Sequence, residues 1–596
     1  MCGIFGLTHP PGDPKSILQA MGEVLAHRGP DGEGYFISNQ VALGMRRLSI
    51  LDPARGRQPF YNRDQTVVVV CNGEIYNFIE LRSRLAEKGY RFQTNCDVEV
   101  IPHLYEEYGI NFIHHLNGMY GMALYDLAEN TLYLIRDRLG IKPLYYSLAG
   151  RNLIFASEIK ALFQTSLVSK EVDLESLSIL LDLMYIPAPA TPFTQIKKLP
   201  PGTYLQWLAG ALKLVPYWTM ALPETDIQDE PNPAETLEGL LEDSVRLQMR
   251  SDVPVGCFLS GGIDSSAVTA LASLQTNLPM TTWHVRGTGM QGKIDESPLA
   301  AAVSHRYGTS HFTKNLADED LIMELPKLIW HLEEPIGDGA FVLTYGLAKM
   351  AAEQVKVILS GAGGDELFGG YAHYRNLYFG ESIIKRLLFG KQVKSSYYDR
   401  MASRQASRWP EYFPWHGVSI SRKEEFDQPF NANKLKDPLN ALMLADLHWY
   451  LPDNILFLTD KMTMAASLEC RVPLLDHRIV ELSLRTDSGL KIRSGQKKYI
   501  LNQIMKKYLP REVIYRPKEG FGAPVVYWVN NYRKKYFDQW LLSGYLCQER
   551  MINQKKLQTL LAHDHLHGLQ AWRYWQILIL EIWMQLFVGD RPMSLI

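Results

Sequence analysis

The feature that most constrains the fold is a change of pattern near the middle of the chain. Up to about residue 210, short β-type runs (66–71, 121–125, 131–135 and 153–156) alternate with turn signals, the pattern of antiparallel sheets with few long helices. One helix is predicted over 78–88, with Ile79, Leu81 and Leu85 on one face and Gly89 as its stop. Beyond residue 233, Leu237, Leu240, Leu241 and Val245 give helical periodicity, and apolar runs at 255–259 and 355–359 each end in a glycine-rich turn. Strands alternating with helices require a parallel sheet with helices on its faces. The acidic, proline-bearing stretch 222–233 reads as the interdomain connector. The expected division is therefore 1–210, a linker over 211–233, and a second domain over 234–596.

Composition narrows the class. Hydrophobic content of 46% with 21% charged residues is globular, and a net charge of -2 offers no broad attraction to nucleic acid or an anionic membrane. Six cysteines without a CxxC pair fit a reducing compartment. Pro10, Pro11 and Asp13 interrupt the only candidate signal-peptide region. The most apolar run, 577–588, is short for a membrane span and contains Glu581. A cytoplasmic protein with small-molecule substrates is the expectation.

Two places carry chemistry. Removal of the initiator methionine leaves Cys2 with a thiol and a free α-amine on one residue. An amine of reference pKa about 7.7–8.0 is a ready general base, and a thiol beside a base is a nucleophile for acyl transfer. The second place is Leu259-Ser260-Gly261-Gly262-Ile263-Asp264-Ser265-Ser266, where an apolar run gives way to a helix. Backbone N–H groups and hydroxyls there form an anion cradle, and Asp264 would repel phosphate unless Mg²⁺ bridges the two. Two other patterns are set aside. The GxGxxG match at 287–292 is followed by Lys293-Ile294, so it lacks the hydroxyl of a P-loop. His563, His565 and His567 alternate in what reads as a solvated connection between helices.

Taken in order, these motifs resemble glutamine-dependent asparagine synthetases over nearly the whole chain. The N-terminal half carries 1–6, His27-Arg28-Gly29-Pro30-Asp31, Arg47-Leu48-Ser49-Ile50, Asn72-Gly73-Glu74-Ile75-Tyr76-Asn77, 136–146 and 155–162. The C-terminal half carries 260–266, 333–338, 360–371 (SGAGGDELFGGY) and 450–477. The resemblance implies an α+β N-terminal-nucleophile (αββα) class II glutaminase domain. An α/β parallel-sheet ATP-pyrophosphatase domain of the adenine nucleotide alpha hydrolase type would follow it.

It also implies roles. Cys2 attacks glutamine, Asn72 and Gly73 form the oxyanion hole, Arg47 clamps the α-carboxylate, and Asp97 with Glu74 and Gly73 receives the α-ammonium. Leu259, Ser260, Gly261, Gly262, Asp264, Ser265, Ser266, Ser360, Gly361 and Lys518 hold ATP and its pyrophosphate. Asp264 and Asp365 hold Mg²⁺, and Lys498 neutralises developing negative charge. Ammonia passes between the domains, aspartate is the acceptor, and the protein is a homodimer.

The chain departs from the family at Ala362, where an acidic residue is usual. Either Glu333, Glu334 or Glu366 does that work, or the acceptor is another carboxylate, such as a sugar acid or a secondary metabolite. A non-catalytic glutamine sensor is a third reading. The intact Cys2, Asn72, Asp264 and Asp365 argue against it.

Overall fold

The computed structural model describes residues 2–222, 231–287, 295–316, 318–374, 396–402, 406–433, 437–515, 522–589 and 591. Its N-terminal domain is built on two six-stranded sheets. One runs, edge to edge, Ile196–Lys198, Tyr145–Ala149, Asn152–Ala156, Cys2–Thr8, Val41–Arg47 and Gly32–Ile37. The other runs Ala211–Pro216, Thr203–Leu208, Thr131–Arg136, Gly118–Asp126, Val67–Ile75 and Phe60–Tyr61. Every pairing in both is antiparallel.

Alternation along the strands sorts side chains into layers. Cys2 and Ile4 share the core between the sheets with Val68, Val70, Ala123 and Leu134. Phe5 and Leu7 turn the other way, onto Leu18 and Met21 of the helix Pro14–Glu23. Val69 and Cys71 face the opposite outer layer with Leu81, Leu85 and Ile101. The result is the four-layer αββα arrangement.

Two local expectations change. The helix Phe78–Glu87 buries Phe78, Leu81 and Leu85, while Ile79 is 50% exposed. At 3.6 residues per turn, positions two apart lie on opposite sides. The stretch 211–216, placed in the linker by composition, forms an edge strand paired with Thr203–Leu208, so the hairpin continues past residue 210. Most of the remaining connector, 223–230, lies outside the described residues.

The C-terminal domain has a five-stranded sheet in the order Ser310–Leu316, Thr281–Gly287, Val255–Phe258, Val357–Leu359, Glu469–Arg471, all parallel. The chain steps from Val255–Phe258 outward on one side and later returns on the other, so strand order reverses between the two central strands. In open α/β sheets, ligands bind at that point, beyond the carboxyl ends of the strands.

The domains share a core. Phe193 of the first packs its ring 5.3 Å from Trp583 on the long helix Gly568–Phe587 of the second. Glu581 on that helix accepts the N–H groups of Tyr545 and Leu546 at 2.6 and 2.9 Å, which explains its burial. Among the described residues, no helix is long and apolar enough to cross a membrane.

Candidate active sites

The first site forms at the ends of two facing strands. Cys2 stands on the inner face of its strand, and Asn72 stands on the inner face of Val67–Ile75, two residues beyond Val70. Period-2 alternation on both strands thus aims the two residues at each other. The Cys2 main-chain N–H donates to Asn72 Oδ1 at 3.1 Å, and Asn72 Nδ2 donates to Ser157 Oγ at 3.4 Å. Burial pushes the Cys2 thiol up, while the N-terminal charge, the Leu48 N–H and Arg47 pull against it. Gly73 must be glycine, because a Cβ there would lie 2.0 Å from the Met119 carbonyl oxygen on the neighbouring strand.

Arg47 is the cross-strand partner of Cys2. Its guanidinium donates to the carbonyls of Leu51, Asp52 and Pro53 at 2.9, 2.9 and 3.1 Å, engaging three of its five N–H groups. Glu74 and Asp97 are buried close by, and Asp97 Oδ2 accepts the Ile75 N–H at 2.7 Å. Burial raises both carboxyls, and for Glu74 the neighbouring Asp97 and Glu469 raise it further. Carboxylates crowded in this way favour a cationic guest. The six expected glutamine-site residues therefore converge.

The second site lies at the carboxyl ends of Val255–Phe258 and Val357–Leu359. Leu259 is buried and donates its N–H to the Trp283 carbonyl at 2.9 Å. The serine hydroxyls shape the loop itself: Ser265 Oγ accepts the Ser260 N–H at 3.1 Å and lies 3.0 Å from Ser260 Oγ, which accepts the Gly262 N–H at 3.2 Å. Ser266 is fully enclosed, on the buried side of the helix Ile263–Leu274. Ser360 and Gly361 begin the adjacent loop, where Ser360 Oγ accepts the Ala362 N–H at 3.3 Å.

The Lys498 ammonium sits between Asp264 and Asp365, bonded to Asp264 Oδ2 and 2.7 Å from Asp365 Oδ1. Lys498 adopts φ 54°, ψ 38°, in the left-handed region, a strain that non-glycine residues keep mainly at functional sites. Asp264 Oδ1 is buried with no hydrogen-bond partner among the described residues. A Cβ on Gly364 would approach that oxygen to 2.3 Å, so the glycine keeps a space around the carboxylate.

Ala362 packs against the apolar cluster that includes Leu475. Of the three acids that could replace an acidic side chain there, two are committed to the domain boundary. Glu333 accepts the N–H groups of Ile159 and Lys160 at 2.9 and 2.7 Å and bonds Lys461. Glu334 pairs with Lys198 at 2.9 Å. Glu366, on the short helix Gly364–Phe368 beside Asp365, accepts the Tyr371 hydroxyl, and burial raises its carboxyl to about 7. Lys518 lies outside the described residues, as does most of the 287–292 loop. The histidines at 563, 565 and 567 are exposed between the helices Gln554–Leu561 and Gly568–Phe587.

Arg28, Glu158, Asp460 and Arg471 lie within the sequence motifs but carry no expected role. Arg28 is fully buried and bonds the Cys2 carbonyl oxygen at 3.2 Å, Glu158 Oε1 at 2.9 Å and Asp460 Oδ2 at 2.8 Å. Arg471, from the C-terminal sheet, lies 3.5 Å from Glu74 Oε2. Each glutamine-site wall is thus tied to the other domain.

Residues 1–218 match the family model for a glutamine amidotransferase domain, and residues 236–585 match the model for asparagine synthase. The chain is 32% identical to asparagine synthetase [glutamine-hydrolyzing] 1 of Bacillus subtilis, across 100% of this chain and 98% of that protein. It is 31% identical to a putative asparagine synthetase [glutamine-hydrolyzing] of Mycobacterium tuberculosis, across 99% of this chain and 97% of the relative. It is also 29% identical to amidase chry2 of Gibberella zeae, across 89% of this chain and 90% of the amidase.

Proposed function

The chain belongs to the asparagine synthase family and carries a glutamine amidotransferase domain, and from this premise we propose that it makes asparagine from aspartate, glutamine and ATP. The observation that carries the reading is the Lys498 ammonium between Asp264 and Asp365 beyond adjacent parallel strands, in the same chain as Cys2 set against Asn72.

In the first half, Cys2 Sγ attacks the side-chain amide carbon of glutamine, and the α-amine of the processed Cys2 takes the thiol proton. Asn72 Nδ2 and the Gly73 N–H stabilise the oxyanion, each such donor being worth about 2.7–4 kcal/mol in the transition state. The carbon–nitrogen bond breaks, the amine returns its proton to the leaving ammonia, and water hydrolyses the thioester to glutamate. The two Arg47 N–H groups left over from the backbone carbonyls meet the α-carboxylate, and Glu74 and Asp97 meet the α-ammonium.

In the second half, the acceptor carboxylate attacks the α-phosphorus of ATP and expels pyrophosphate toward the loop of Ser260, Gly261, Gly262 and Ser265. Lys498 neutralises charge on the departing group. Ammonia then adds to the acyl carbon, and AMP leaves. Mg²⁺, when bound, neutralises phosphate charge. Asp264 and Asp365 would hold it, consistent with the partnerless Asp264 Oδ1 and with the habit of Mg²⁺ of using one or two carboxylates plus phosphates. Glu366 takes the place of the acid that Ala362 lacks.

A second reading, amidation of a different carboxylate, is favoured by Ala362 alone. Pyrophosphate release from ATP, Mg²⁺ and ammonium across a panel of carboxylic acids separates the two, because ammonium bypasses the glutaminase. Stimulation by aspartate with asparagine formed supports the first reading. Silence with aspartate and response to another acid supports the second.

A further inference from the structure

Where the two domains meet, away from both sites above, the surface opens into a cleft of about 330 Å³, within the roughly 300–1,000 Å³ range of small-molecule sites. Arg84, His114 and His115 face it from the glutaminase side, and Arg246, His477 and Arg478 face it from the synthetase side. Among the described residues its only lining carboxylates are Glu80 and Asp243, and both are already answered. Glu80 is gripped by Arg250 at 2.7 and 2.6 Å. Asp243 is shared by Arg246 at 2.6 Å and Arg478 at 2.7 Å, Arg478 also bonding Asp476. Arg84 is exposed, with no carboxylate partner among the described residues.

Burial, then Arg84, His114 and Lys88, lower the pKa of His115. At His477 burial and Arg138 lower the pKa, with Asp476 and Glu481 pulling the other way.

A second observation points inward. Asn117 and His477 also line an adjoining cavity of about 10 Å³, room for a single water, with Tyr76, Arg138, Gln248 and the carboxylates Asp137 and Asp476. Tyr76 Oη, Arg138 Nε and Gln248 Oε1 are buried there without hydrogen-bond partners among the described residues. Buried polar groups are rarely left unmet, and the three supply both donors and an acceptor. The cleft is linked to the glutamine site along the chain. Asn77 follows the strand carrying Asn72, Gly73 and Glu74, and His477 follows the segment whose Arg471 approaches Glu74 at 3.5 Å.

We propose that this cleft binds a small multivalent oxyanion, a phosphorylated metabolite or a polycarboxylate, which bridges the two domains and modulates glutamine hydrolysis. The binding half of the proposal is independent of the acceptor chosen by the synthetase. The modulation half rests on the glutaminase reading.

Calorimetric titration of inorganic phosphate and, separately, citrate tests it, on the full chain saturated with a non-hydrolysable ATP analogue and Mg²⁺ so that the phosphate loop is filled. The expected result is saturable binding of at least one anion, weakened about tenfold, or roughly 1.4 kcal/mol, in Arg84→Ala or Arg246→Gln. Lys88→Ala, which removes a nearby charge outside the cleft, keeps wild-type affinity. Phosphate alone identifies a phosphorylated ligand, citrate alone a polycarboxylate. The bound anion also changes glutamine turnover in the wild type more than in Arg84→Ala. Absence of saturable binding, equal affinity in both cleft variants, or equal weakening in Lys88→Ala overturns the site. Binding without any change in turnover overturns the modulation.

Discussion

Arg28 Nη2 lies 2.8 Å from Asp460 Oδ2 in the opposite domain, while Arg28 Nε donates to the carbonyl oxygen of Cys2 at 3.2 Å. The nucleophile's own peptide unit is therefore held by a cation that divides its counter-charges between Glu158 of its own domain, at 2.9 Å, and Asp460 of the synthetase domain. Both side chains are buried; breaking a buried ion pair costs about 3–5 kcal/mol, an upper bound here because Glu158 still answers Arg28, while Lys142 loses its Asp460 partner at 3.2 Å. Asp460→Ala is expected to lower the unfolding midpoint and to slow glutamine hydrolysis as well, although Asp460 touches no glutamine-site residue except through Arg28. Thermal denaturation beside a glutaminase assay checks this. A variant with wild-type glutamine turnover would show that the Arg28 link does not position Cys2.

Cys2→Ala removes the nucleophile and leaves the second domain untouched. Glutamate release from glutamine should vanish, while pyrophosphate release with added ammonium stays near wild type. Loss of both activities would mean that the thiol also supports the synthetase half.

Lys498→Met removes the ammonium between Asp264 and Asp365. Removing one electrostatic stabiliser of a transition state costs about 100–1,000-fold in rate. Ammonium-dependent pyrophosphate release should fall by that order, with glutaminase activity preserved. Glu366→Gln should reduce the same reaction and again spare glutaminase activity. An unaltered synthetase rate in Glu366→Gln would remove it as the substitute for an acidic residue at position 362.

Lys491 gives a pH signature of stability. It is buried, its Nζ donates to Asn440 Oδ1 at 2.7 Å, and burial lowers its pKa to about 7. The unfolded chain, with lysine near 10.4, binds more protons than the fold between those values. Stability from this group therefore rises as pH climbs from 7 toward 10, by at most about 1.4 kcal/mol per pH unit. The difference in unfolding midpoint between wild type and Lys491→Met should shift in favour of wild type over that window. A pH-independent difference would place the folded pKa back near the ordinary lysine value.

Cys2 and the 259–266 loop were legible from local chemistry, an apolar strand ending in Ser260-Gly261-Gly262 being the pattern of a phosphate loop. Asn72, Gly73, Arg47, Glu74 and Asp97 entered through the family resemblance, and the facing strands that bring Cys2 to Asn72 are visible in the fold alone. The residues that join the domains were not assignable in this way. Arg28, Glu158 and Asp460 are far apart in sequence, and each alone is an ordinary charge until folding buries all three together. Ile79 fits the buried face by its chemistry, yet Phe78 takes that place by helical phase. The strand Ala211–Pro216 was hidden because an exposed edge strand needs little apolar sequence.

The most direct test of asparagine synthesis is to supply glutamine labelled with heavy nitrogen at its side-chain amide, together with ATP, Mg²⁺ and aspartate, and to weigh the products. The account predicts asparagine carrying the label in its side-chain amide, with AMP, pyrophosphate and glutamate formed in step. Labelled ammonia and glutamate accumulating without labelled asparagine would contradict it.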